Sequence, residues 1–140
     1  MSGPSLKKFD AHSSIHEAAL NEAKELRDLF DQCLKKGDKE KALNIGEIIV
    51  EHWETRTLKH AEAEEEGLYK EIVAESPSLK EAVIQLTRDH DLMRNLVGQM
   101  KKMLEKREVS ETFRSLADGL ILIDEIHNED EVNKLLASNK

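Results

Sequence analysis

The spacing of apolar residues constrains this chain most. They recur three and four positions apart along nearly its whole length. The pattern breaks at Lys35-Lys36-Gly37-Asp38, at Ser76-Pro77-Ser78 and at Lys106-Arg107-Glu108. Such spacing lays one apolar stripe along an α-helix, which turns about 100° per residue. Four long helices joined by short turns pack as antiparallel neighbours. The expected fold is therefore all-α, an up-down-up-down antiparallel four-helix bundle. A helical hairpin that dimerises is the competing form, but 140 residues are enough for a monomer to bury its own core. Only 4% of residues are aromatic and 36% are charged, a balance that suits long helices rather than a sheet.

Each break also predicts the ends of its neighbours. Helix one is expected over Phe9–Lys36, with Asp10 as N-cap and a stripe of Ile15, Ala19, Leu20, Ala23, Leu26, Phe30 and Leu34. Gly37 supplies the left-handed residue that ends it, and Asp38 caps helix two, which is expected to reach Ala74. Gly46 inside that helix costs about 1 kcal/mol relative to Ala and marks a place for a bend. Ser78 with Glu81 reads as a capping box for helix three. That helix carries Val83, Leu86, His90, Met93, Val97, Met100 and Leu104. Ser110 should cap helix four, which carries Phe113, Leu116, Leu120, Ile123, His127 and Glu131 and frays after Leu136. The organisation expected is a flexible end over 1–8, a bundle over 9–137 and a frayed end over 138–140.

Two classes of partner are disfavoured. A formal net charge of −8 argues against nucleic acid and against an anionic membrane surface. No run of about 18 apolar residues exists to span a bilayer. The opening Met1-Ser2-Gly3-Pro4-Ser5 is too short and polar for a signal peptide. Cys33 is the sole cysteine, so no internal disulfide forms and a reducing, cytoplasmic setting is expected.

Functional chemistry concentrates in the histidines. His60 and Glu64 are four apart on one helix, and His127 and Glu131 repeat that spacing on another. Side chains so spaced lie on one face, about 5–6 Å apart at Cβ. His16 and His60 lie nearly equidistant from the turn at Gly37. Glu64 and His90 are equidistant from Pro77, and His90 and His127 nearly so from Glu108. In an antiparallel bundle such residues share one level to within about 3 Å of helical rise. His16, His60, Glu64, His90, His127 and Glu131 would thus converge in the interior. Burying them alone would cost many kcal/mol, and a pair of divalent cations removes that cost. Mixed nitrogen and carboxylate donors in a bundle core suit iron or manganese, with zinc able to substitute.

Taken singly, each residue has a plainer reading, as a core histidine or a solvated acid. Glu62, Glu65 and Glu66 are expected in solvent. His12, one turn before His16, satisfies the same level criterion. His52 points about 80° away from the His60 face and is expected at a flank or at the surface. Ile49 and Trp53 share the His60 face and should wall off the centre on one side, whereas Arg94 should run out to solvent. Met93 and Met100 are expected to fill the core, Met103 to lie at the surface, and Cys33 to be a buried packing residue.

These motifs resemble the hemerythrin-like family of HHE cation-binding domains, over about residues 9–137. The resemblance is carried by His60-Ala61-Glu62-Ala63-Glu64-Glu65 with Leu68-Tyr69, by His90 in Arg88-Asp89-His90-Asp91-Leu92, and by His127 with Glu131. It implies a non-haem, oxo- or hydroxo-bridged pair of iron ions in a four-helix bundle. Glu64 and Glu131 would bridge, with His16, His60, His90 and His127 as terminal ligands; the family match favours His16 over His12. The chain departs from the oxygen-carrying hemerythrins at Arg94, where those have a second histidine, and at Val132, where they have an aspartate. It is closer to a subgroup with four His and two Glu, in which one coordination position is left over. The implied function is binding oxygen or another small diatomic or peroxide ligand, for storage, delivery or sensing. An enzyme that decomposes peroxide or reduces a diatomic is one alternative, and a metal-free helical interaction domain is another. A monomer or weak homodimer is expected.

Overall fold

The computed structural model describes the backbone of residues 3–136 and the side chains of residues 14–135. Among the described residues the regular structure is helical throughout, without a strand. Helix α1 spans Gly3–Lys35, α2 Lys39–His52, α3 Leu58–Glu66, α4 Leu68–Glu75, α5 Lys80–Glu105 and α6 Glu111–Glu131. A π-helical turn at Trp53–Thr57 joins α2 to α3, a 3-10 turn at Pro77–Leu79 leads into α5, and a second π-helical turn, Val132–Leu136, follows α6. Helix α1 packs on α2 and α6, and α5 packs on α6 and α2, so the helices form a bundle around a shared core. None of the described helices is long and apolar enough to cross a membrane.

The ends of the helices follow the sequence in part. Gly37 takes the left-handed conformation at φ 71°, and the Asp38 carboxylate accepts a hydrogen bond from the Lys41 backbone N–H at 3.2 Å. Helix α1, however, begins at Gly3, and Asp10 stands inside it rather than at its cap. Pro4 is no obstacle, because the first turn has no intrahelical acceptor for its missing N–H. The side chains of Asp10 and His12 lie outside the described residues. Ser78 forms no capping box: the 3-10 turn occupies its position, and Leu79 precedes α5 without a side-chain cap. Ser110 holds the N-cap place of α6 with extended backbone, but its hydroxyl makes no capping bond.

The second rod is interrupted, and not where Gly46 predicts. Helix α2 runs straight through Gly46. A Cβ there would stand 3.0 Å from Leu104 Cδ2 and 3.2 Å from Phe113 Cζ, so the glycine serves close packing. The breaks fall at Trp53–Thr57 and at Gly67, whose backbone (φ −118°, ψ −85°) leaves the helix. A π-helical turn inserts extra chain into the helix and re-aims every side chain after it. Here the residues re-aimed are those of α3, His60 and Glu64 among them.

The core has two apolar parts with a polar layer between them. The larger holds Phe30, Ile49, Trp53, Met93, Met100, Phe113 and Leu120; the smaller holds Tyr69, Ile72, Leu86 and Leu135. Along α5 the buried series reads Leu86, His90, Met93, passing from the smaller cluster through the polar layer to the larger. The series from α6 onward does the same in reverse: Leu120 and Ile121, then Asp124, His127 and Glu131, then Leu135.

Candidate metal centre

The polar layer brings the six sequence-predicted residues together. His16 comes from α1, His60 and Glu64 from α3, His90 from α5, and His127 and Glu131 from α6. Five of them are buried, and the His60 side chain keeps 22% exposure at the rim. Glu64 turns Oε2 toward His16 Nε2 (3.7 Å) and His60 Nε2 (3.8 Å), and Oε1 toward His90 Nε2 (3.2 Å). Glu131 turns Oε1 toward His16 Nε2 (3.3 Å) and Oε2 toward His127 Nε2 (3.5 Å). Each carboxylate therefore presents one oxygen to the His16 side of the layer and the other to the His90–His127 side. The Nε2 atoms of His90 and His127 face each other at 3.1 Å.

Two overlapping donor groups result. His16, His60 and Glu64 form one; Glu64, His90 and His127 form the other. In each, the candidate ligand atoms lie within 4.8 Å of one another, and Glu64 belongs to both. Imidazole nitrogens and carboxylate oxygens, buried and facing a common interior, fit first-row transition-metal cations.

A second ring of side chains fixes the first. The Nδ1–H of His90 donates to Glu65 Oε2 at 2.7 Å, and that of His127 donates to Asp89 Oδ2 at 2.9 Å. A carboxylate can only accept, so these bonds place hydrogen on Nδ1 and aim each Nε2 inward. Tyr69 donates its hydroxyl to Glu131 Oε2 at 2.5 Å while its ring stacks parallel on His90, centroids 5.7 Å apart. The support passes from helix to helix: α3 backs α5, α5 backs α6, and α4 also backs α6.

Electrostatics in the layer are strongly perturbed. Burial opposes a charge on His16, but the Glu131 and Glu64 carboxylates beside it outweigh that and raise its pKa to about 8. His127 is likewise opposed by burial and is carried to about 10 by Asp89, Glu131 and Glu64. Burial, reinforced by Glu131 and Glu64, lifts the Tyr69 phenol far above its ordinary range, so it remains a donor. Burial also pushes the Asp124 carboxyl up to about 6.

Several outer residues stand elsewhere than the sequence suggested. Glu65 is not a solvated acid: it accepts from His90 and from Arg94 at 2.9 Å. Arg94 does not run free into solvent but bridges Glu65 and Asp91. Glu62 and Glu66 are exposed, as expected. His52 is buried rather than at the surface, and it stays out of the centre: Nε2 donates to the Ala19 carbonyl at 2.8 Å, tying the end of α2 to α1. Trp53 and Ile49 are buried in the larger apolar cluster. Met93 and Met100 fill that cluster, and Met103 and Cys33 are partly buried against it. Asp89 and Asp124 escaped the sequence reading. A signal existed for Asp124, which stands three residues before His127 and seven before Glu131 on one helical face. For Glu65 and Asp89 the signal was only adjacency to Glu64 and His90.

Comparison with known proteins agrees with this chemistry. The family model described as "Hemerythrin HHE cation binding domain" matches residues 9–137. No curated protein and no solved structure matches the chain.

Proposed function

The chain belongs to the hemerythrin HHE cation-binding family, and from that premise we propose that it is a non-haem di-iron protein whose ligand is oxygen, another small diatomic or peroxide. In this reading the bundle runs up-down-up-down, Glu64 and Glu131 bridge two irons, and His16, His60, His90 and His127 are terminal ligands. Manganese or zinc would fit the same donors. The protein works as a cytoplasmic monomer or weak homodimer, without nucleic acid or membrane. One observation carries the reading: each of the two buried carboxylates offers one oxygen to either side of the layer. Two cations, one on either side of the layer, would use both oxygens of each carboxylate.

When bound, the irons supply the redox electrons and the open position for the small ligand. The chain does the rest. Glu65 and Asp89 hold two imidazole rings in register, and Tyr69 holds Glu131. The two apolar clusters exclude water from above and below the layer, which strengthens every charge interaction inside it. His60, at the more open rim, marks the side on which a small molecule enters.

A second reading, a peroxide- or diatomic-consuming enzyme, is favoured by Arg94. It stands where the oxygen carriers have an imidazole, and it is held by Glu65 and Asp91, which leaves a position for a reacting ligand. Metal analysis of protein produced with iron should give two irons per chain and visible absorption in air. His60→Ala and Glu64→Ala should lose iron and thermal stability together. Wild-type protein that retains no iron would refute the proposal. Recovery of the starting spectrum when oxygen is withdrawn from the reduced protein separates a carrier from an enzyme.

A further inference from the structure

Asp124 lies in the polar layer and, like Glu131, belongs to neither donor group, but unlike Glu131 it makes no ion pair with an imidazole. It sits on α6 one turn before His127, with Leu120 and Ile121 of the larger apolar cluster on its other side. It is 1% exposed, and neither Oδ1 nor Oδ2 has a hydrogen-bond partner. The charges that act on it are His16 from α1, Glu64 from α3, and His127 and Glu131 from its own helix. The nearby imidazoles are committed elsewhere: His127 to Asp89 and Glu131, and His16 Nε2 to Glu131 and Glu64. A buried carboxyl with no hydrogen bond is costly, and in a polar layer it marks a place that something outside the chain completes.

We propose that Asp124 is the hydrogen-bond acceptor for the small ligand of the cation pair, and that it selects ligands bearing an O–H, such as water, hydroxide or hydrogen peroxide, over aprotic ones such as azide or nitric oxide. The inference rests on the di-iron reading above and narrows its ligands from oxygen, other diatomics and peroxide to the protic one, peroxide. A carboxylate accepts hydrogen bonds and cannot donate them. A protic ligand satisfies its buried oxygen. An aprotic one leaves that oxygen bare, and an anionic one also meets its charge. Sites built around a buried polar group discriminate strongly against analogues that cannot pair with it. Cations held by the adjacent residues would favour the ionised carboxylate, which accepts hydrogen bonds.

The test uses the iron-loaded full chain as wild type, Asp124→Leu and Asp124→Asn, with azide and hydrogen peroxide as probes. In Asp124→Leu the azide dissociation constant should fall about tenfold and the bimolecular rate constant for hydrogen peroxide should fall about tenfold, the low end of what a hydrogen bond to a charged group contributes. Asp124→Asn keeps an acceptor without the charge, so azide should tighten while the peroxide rate stays within about threefold of wild type. Opposite movements of the two probes are the signature, since general damage to the site weakens both. Shifts in the same direction, or changes below about twofold for both probes in both variants, overturn the proposal. So does loss of iron in Asp124→Asn, which would make the residue a ligand. Wild-type protein without iron would overturn the di-iron reading and this inference with it; iron-loaded protein with unmoved probes overturns this inference alone.

Discussion

Raising the pH should destabilise the metal-free protein, and two imidazoles set the size of the effect. His16 is raised from 6.5 to about 8 and His127 from 6.5 to about 10. In both, burial acts against the charged ring and the surrounding carboxylates more than compensate. A folded-state value above the unfolded one means that the bound proton stabilises the fold. That stabilisation is complete below about pH 6.5 and is lost as pH rises through about 8 for His16 and about 10 for His127. At roughly 1.4 kcal/mol per pKa unit, His127 alone would contribute about 5 kcal/mol and His16 about 2 kcal/mol. Both draw on Glu131 and Glu64, so the two contributions overlap, and His127 still holds part of its proton at about pH 9.5; the loss between about pH 6.5 and 9.5 is therefore about 4 kcal/mol. At about 2.1 cal/mol/K per residue, a chain of 140 residues loses about 10–15 °C in Tm for that amount. Asp124 adds little in this window, because its carboxyl, raised to about 6, is mostly ionised above it. Melting followed by far-ultraviolet circular dichroism, in chelator-treated protein between about pH 6.5 and 9.5, reads the effect directly. A Tm that stays level or rises over that range would refute the idea that protons substitute for cations among these donors. Iron must displace those protons, so its apparent affinity should rise with pH while the metal-free fold weakens.

Two further substitutions separate support from ligation. Glu65→Gln removes the charge that backs His90 and leaves Arg94 paired with Asp91 alone; iron affinity should fall about tenfold by chelator competition, and unchanged affinity would show that His90 needs no such partner. His52→Ala should keep its iron but lose about 1–2 kcal/mol, because the side-chain bond that ties α2 to the Ala19 carbonyl is gone; loss of iron in this variant would place His52 in the centre.

The helical content was legible because the apolar stripe repeats over enough turns to leave one interpretation. Leu86, His90, Met93, Val97 and Met100 are all buried on α5 as the spacing requires. What the stripe could not show is where a helix stays continuous. Gly46 carries a propensity penalty, yet α2 passes through it because Leu104 and Phe113 press against the missing Cβ. The π-helical turn at Trp53–Thr57 contains neither Gly nor Pro, so nothing local announces it. Packing around Trp53 and the placing of His60 are tertiary effects, and tertiary context overrides propensity. Helix ends failed similarly: Ser78 and Glu81 have the capping-box spacing, but Pro77 draws that segment into a 3-10 turn.

For the centre, spacing could place residues on one face and at one level, which sufficed for six side chains. It could not show which neighbour reaches across to another helix. Glu62, Glu65 and Glu66 read alike in the sequence, yet only Glu65 lies at the angle from which a carboxylate meets His90 on α5. Asp124 was obscured by its surroundings, because a short acid between Leu120 and His127 reads as an interruption of the stripe rather than as part of a site. The difference between these acids is one of charge and solvent. Glu64 and Glu131 are buried among imidazoles, Glu65 and Asp89 lie at the margin with one imidazole each, and Asp124 is buried with no hydrogen bond at all. A buried carboxylate must have a counter-charge, a donor or a proton. Sorting the acids by which of the three each one has divides the layer into carboxylates set among imidazoles, carboxylates that steady an imidazole from outside, and Asp124, which has neither partner.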